Sequence, residues 1–237
     1  MIVMDFSGLA TLAQAAAPLL PEAAYLPGLR QAAWGMVLAA IVLGASGAHR
    51  PLLNKVRLLA ASAVAIWALV PGSWGASYWL GLAFQTPSVM ACLLALQYLL
   101  YQAGQSLRPA PILYSQARGG FDAPRPIPTF VLLGLALGWV LLIDTFGLLP
   151  VSVYGWGFHP LCAAVLMVIA LLPWVISGRF IARRRSVSVV ALLMVALLIF
   201  WLLRWPTGNV WDAVLDPLLW IGLHIYALSR LRQANTD

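Results

Sequence analysis

The residues of this chain best suited to chemistry are few and mostly acidic. Asp144 is a carboxylate inside an otherwise apolar run, six residues before Pro150. At 1.5 Å of rise per helical residue it would lie about 9 Å below the outer end of that run. A charge at such a depth costs about 2.5–3.5 kcal/mol or more, so the group must face inward, pair or take up a proton. Two roles fit. Asp144 could serve an ion, proton or ligand, or it could form a buried pair with Arg204, which stands at the matching level of another apolar run.

Asp212, Asp216, Trp220 and His224 recur at i, i+4. That spacing puts them along one slowly drifting helix face, a polar stripe on an apolar helix. Asp216 also precedes Pro217, the signature of an N-cap followed by a proline at the first helical position. His224 fits either a hydrogen-bonded packing residue or a ligand. Gln85-Thr86-Pro87-Ser88 interrupts another run. Pro87 removes a backbone donor, and its polar neighbours either satisfy the resulting kink or line a cavity.

Other chemistry finds little support. His159, His224 and His49 differ in predicted depth or side, whereas a bis-histidine haem needs two at one level. A zinc site needs three or four converging ligands. His159, Asp212 and Asp216 could share the outer side, but their spacing matches no motif. Cys92 and Cys162 are isolated in apolar runs, without a CxxC pair. GxSxG, HExxH, Walker A and dinucleotide fingerprints are absent, and nothing arranges Ser, His and Asp as a triad. The expectation is no catalytic residue, no metal and no cofactor.

These residues sit in a chain of 237, of which 62% are hydrophobic and only 9% charged. A soluble domain carries about 25% charged residues. About 20 apolar residues cross a hydrocarbon core about 30 Å thick. Seven runs approach that length, over about 30–48, 53–71, 80–101, 129–149, 160–178, 187–204 and 214–230. Twelve of the 14 Lys and Arg residues fall in every second gap or after the last run, among them Arg50, Lys55, Arg108, Arg118 and Arg183. Only Arg30 and Arg204 fall elsewhere. The positive-inside rule then sets the amino terminus outside and the carboxyl terminus inside. Trp34, Trp74, Tyr78, Trp79, Tyr154, Trp156, Trp205 and Trp211 gather at the predicted outer ends, as an interfacial aromatic belt or a ligand-stacking surface.

The predicted fold class is therefore all-α: a polytopic integral membrane protein with a bundle of seven transmembrane helices over 29–232. Residues 1–28, broken by Pro18, Pro21 and Pro27, form an external or interfacial segment with a helix over about 5–17; an eighth span is the alternative. Residues 102–128 form a Pro/Gly-rich cytoplasmic loop, and 233–237 a cytoplasmic tail. Gly134 and Gly138 make a GxxxG, and Ala40, Gly44 and Ala48 a small-residue stripe, both suited to close helix packing within the chain or between copies.

The net charge of +7 resides in loops at helix ends. It implies contact with anionic lipid, not nucleic acid. Retinal chemistry is excluded because the seventh run carries no lysine for a Schiff base. Small size and an Ala/Arg-rich composition point to a bacterial inner membrane. Three functions remain: a non-enzymatic subunit or assembly factor of a membrane complex, with membrane-protein partners; a small transporter or ion pathway using Asp144, Arg204, Gln85, Ser88, His159 and the seventh-run stripe; and an intramembrane enzyme on a lipid or quinone.

Overall fold

The computed structural model describes residues 20–45, 51–106, 128–177 and 189–234. Among these residues the chain is all-helical and has no strand. In chain order the helices are α1 (Leu26–Ala45), α2 (Pro51–Leu69), α3 (Ala76–Phe84), α4 (Val89–Ser106), α5 (Thr129–Thr145), α6 (Val153–Trp156), α7 (Pro160–Ser177), α8 (Val189–Leu203), α9 (Val210–Val214) and α10 (Pro217–Ala234), with a 3-10 turn at Gly72–Trp74. Leu- and Ala-rich stretches favour this state because straight-chain side chains lose little rotamer freedom in a helix.

Among the described residues each predicted run contains helix, with two changes of continuity. The third run is not one helix: the chain breaks at residues 85–88 between α3 and α4. The seventh starts at Pro217, and the residues before it form the separate short helix α9. The amino-terminal segment gives way to α1 at Leu26, and α4 extends to Ser106, into the predicted loop. The expected helix over 5–17, most of the Pro/Gly-rich loop, His49, Ala48 and most of the basic gap residues lie outside the described residues. Among the described residues helix α1 alone is long and apolar enough to cross a membrane; the apolar stretches Val89–Ala103, Thr129–Thr145, Leu161–Leu171 and Val189–Leu203 are shorter. Seven crossings are thus more than length and composition establish.

The main core joins α1, α4, α7 and α8 with the segment after α8. Ala33, Val37, Val89, Cys92, Leu197 and Phe200 belong to it. Ala39, Leu43 and Ala61 tie α1 to α2. The GxxxG packs within the chain: Gly138 faces the Trp220 ring and Gly134 faces Leu223, so α5 lies close along α10. A Cβ at Gly138 would come within 2.3 Å of that ring.

The aromatic belt needs correction. Trp34, Trp205 and Trp211 are only 1%, 5% and 8% exposed and belong to the core, whereas Trp74, Trp79 and Trp156 are exposed. An indole carries large apolar area with one N–H donor, so it fits a core wherever a carbonyl meets that donor. Trp34 finds such a partner in Gln85 and Trp211 in Val153.

Candidate functional site

Two groups of polar residues emerge from the fold. The first is a cap over one end of the bundle, built from the α5–α7 connection and the α8–α10 connection. Helix α5 closes in a Schellman motif: Gly147, at φ +67°, donates to Asp144 O, and Leu148 donates to Ile143 O. Asp144 therefore sits in the last turn and half-buried, not deep in a span. A carboxylate at the negative end of a helix dipole is poorly placed and needs outside donors. Tyr154 N donates to its Oδ2 at 2.7 Å, and the Ser152 hydroxyl does so at 3.3 Å.

Tyr154 then links two acids. Its backbone holds Asp144, and its phenol donates to Asp212 Oδ2 at 2.8 Å. The Thr207 hydroxyl donates to the same oxygen. Burial, then the hydrogen bond and the negative charge of Asp212, push the Tyr154 phenol well above its ordinary value. The phenol therefore remains a donor at neutral pH. Asn209 completes the cap. Its amide donates to Tyr154 O at 3.0 Å, and its side-chain oxygen caps α9 through Trp211 N at 2.9 Å. Val210 N also reaches Gly157 O at 2.9 Å. Gly157 is required by this approach, because a Cβ there would overlap Asn209 Oδ1.

The expected Asp144–Arg204 pair does not form. Asp144 is held by α6 and Ser152, whereas Arg204 ends α8 at φ +54° with its guanidinium 5.5 Å from the Phe200 ring centroid. The two levels match in sequence, but the turn after α8 directs the arginine along its own helix.

The second group surrounds the break between α3 and α4. Gln85 adopts φ +62°; its N–H reaches back to Gly81 O, and its carbonyl accepts the Trp34 indole N–H at 3.1 Å. Ser88, fully buried, starts α4 by accepting Ala91 N at its hydroxyl, 3.0 Å away. Its own N–H donates to Asp216 Oδ2 at 2.7 Å. The other oxygen, Oδ1, accepts Leu219 N at 2.8 Å and caps α10. One carboxylate, 7% exposed, thus joins the amino-terminal ends of two 18-residue helices. Both helix dipoles favour negative charge there.

The proposed stripe divides accordingly. Asp212 is on α9, Asp216 is the cap before α10, and only Trp220 and His224 lie within α10. His224 Nδ1 is 2.9 Å from Trp220 O, and its ring stacks edge-on against Trp220 and Trp139. His159 lies before α7, where its Nδ1 accepts Leu161 N at 3.3 Å. The structure thus brings Asp144 together with Asp212, and Gln85 and Ser88 with Asp216. His159 and His224 stand apart in separate local contacts. Among the described residues no cluster of three or more His, Cys, Asp or Glu could hold a metal ion.

Tyr154, Thr207, Asn209, Ser152 and Trp34 are the participants that spacing did not single out as site residues. The turn-forming run Pro206-Thr207-Gly208-Asn209 was the available signal for part of the cap. Nothing local in the sequence points from Tyr154 to Asp212, 58 residues away.

A cleft of about 370 Å³ opens between α1, α4 and α10. Val37, Ala40, Gly44, Ala91, Ala95 and Gly222 make its walls mostly apolar, and Asp216 and Pro87 lie at its upper end. Comparison with known proteins gives no match to a family model, a curated protein or a solved structure.

Proposed function

We propose that this chain is a multi-pass inner-membrane protein, amino terminus out and carboxyl terminus in, acting as a non-enzymatic subunit or assembly factor of a membrane complex. The observation that carries the functional part is the use of its acids. Asp144, Asp212 and Asp216 each hold loop or helix-end donors of the same chain. They fasten the bundle, which is what a scaffold needs.

Seven crossings are supported by the surface of the helices. Leu59, Trp67, Leu133, Val168, Leu202 and Ile225 expose large apolar side chains on five different helices. Apolar exposure on that scale suits lipid or membrane-protein partners, and water poorly. The principal described helices have 15–20 residues, or about 22–30 Å, near the thickness of the hydrocarbon core. The alternating basic gaps supply the orientation.

The test has two parts. Single cysteines introduced into the gaps 46–50 and 178–188, in a chain lacking Cys92 and Cys162, should react only with reagents that enter the cell. Labelling from outside would overturn the orientation. Deleting the chain should lower the abundance of one stoichiometric membrane complex that co-purifies with it. A chain that purifies alone, and whose loss changes no complex, would overturn the subunit reading.

Transport is the second reading, favoured by the broken α3–α4 helix beside buried Asp216. Discontinuous helices with inward-facing helix ends are a recurring form of midplane binding site.

A further inference from the structure

Asp216 has more acceptor capacity than its neighbours use. An ionised carboxylate offers about four lone-pair sites. Ser88 N and Leu219 N occupy one on each oxygen. Among the described residues no Lys, Arg or His forms an ion pair with it. Yet Asp216 is buried and lines the cleft, whose other walls are almost wholly hydrocarbon. A lone acid in such a place is complemented best by a cation that brings its own apolar body.

The room along the cleft is real. A Cβ at Gly222 would meet nothing within 4 Å, and one at Gly44 only the Tyr98 hydroxyl at 3.9 Å. From Ala91 to Tyr98 the α4 wall rises over seven residues, about 10 Å, with Pro87 beyond its start. The acid is therefore at one end of a trough lined by Ala91 and Ala95 on one side and by Ala40 and Gly44 on the other.

We infer that the cleft between α1, α4 and α10 binds an amphiphile with a primary ammonium head, its nitrogen on Asp216 and one alkyl chain along the small-residue walls. The ammonium donates to the unused lone pairs of the carboxylate, and the alkyl chain covers the apolar trough. This site goes beyond the subunit role and does not depend on it. The head-group chemistry is shared by a free alkylamine and by the ethanolamine head of a bilayer lipid.

Native mass spectrometry of the full chain in an uncharged detergent, titrated with dodecylammonium, dodecanol and dodecanoate, tests the site. One dodecylammonium should bind per chain, at least tenfold more tightly than either analogue. Gly222→Leu fills the trough where the backbone leaves space, so it should retain the unfolding temperature of the parent while losing the bound amine. Asp216→Asn keeps an oxygen for one helix cap and should bind amine and alcohol alike. Equal binding of the three probes to the parent chain would overturn the inference, as would unchanged amine binding by a folded Gly222→Leu chain. Displacement of the amine by phosphatidylethanolamine, but not by phosphatidylcholine, would assign the source to the bilayer. Displacement by neither would assign it to a free amphiphile. Copy number of a partner complex plays no part in this readout, so the subunit reading can fail while the site stands.

Discussion

Helix α10 presents two faces built from similar material, with opposite outcomes. Toward α5, the small residues Gly134 and Gly138 are filled: Leu223 and the Trp220 ring occupy the space a side chain would need. The seam is tightened by Trp220 Nε1 donating to Leu135 O and by the edge-on contact of Trp220 with Trp139. Toward α1 and α4, Gly44 and Gly222 face a cleft that no described residue fills. Small residues permit close approach but do not produce it. An aromatic knob opposite them closes the first face, and its absence leaves the second open.

The largest effect separating the faces should come from Asp216→Ala. It removes the cap of α10 and the acceptor of the Ser88 N–H at the start of α4, leaving two N–H groups without that partner, at about 2–4 kcal/mol. Thermal unfolding of the purified protein measures this, and a change below the cost of one ordinary cap would refute the joining of the two helix starts by Asp216.

Gly138→Ala should come next. The added methyl meets a rigid ring held by its own hydrogen bond, and such overpacking costs about 1–3 kcal/mol. Gly134→Ala should cost less, because Leu223 can change rotamer. Equal losses at the two glycines would break the picture of a seam centred on Trp220.

Tyr154→Phe touches neither face and serves as the reference. Loss of its hydrogen bond to Asp212 should cost about 1 kcal/mol. The folded phenol titrates above its ordinary value of about 10, so its contribution is complete below that pH. It should disappear as pH rises through the raised value. The parent should therefore lose its advantage over Tyr154→Phe only in strong alkali, measured by unfolding across pH. A constant difference throughout would remove the coupling to Asp212.

The smallest effect has the opposite sign. Gly222→Ala lies in open space on a helix, so it should stabilise the protein by up to about 1 kcal/mol. Destabilisation at Gly222 would mean that the cleft face is closed like the other.

Much of the helical layout was legible because composition and periodicity act locally. Each of the seven apolar runs contains helix among the described residues, and the Asp216-Pro217 start of α10 follows from the fixed φ of proline and the acceptor before it. Pro87 signalled an interruption but not its size. A missing donor is compatible with a kink or a full break, and the break persists because Trp34 and Asp216 satisfy the groups it frees. Asp144 and Arg204 illustrate the opposite limit. Their levels matched along two helices, yet level says nothing about azimuth or about the turn that follows, and each found a nearer partner.

The sequence by itself determined which segments are helical, where Pro and Gly end them, and which acids lie near helix ends, since these depend on residues within a few positions of one another. Tertiary structure alone decided that Asp216 ties the starts of two helices together, that Tyr154 joins Asp144 to Asp212, and that one set of small residues is filled while another stays open. Those outcomes depend on how helices distant in sequence rotate and approach, and hydrogen bonds and van der Waals contacts act only over a few ångströms once they have done so.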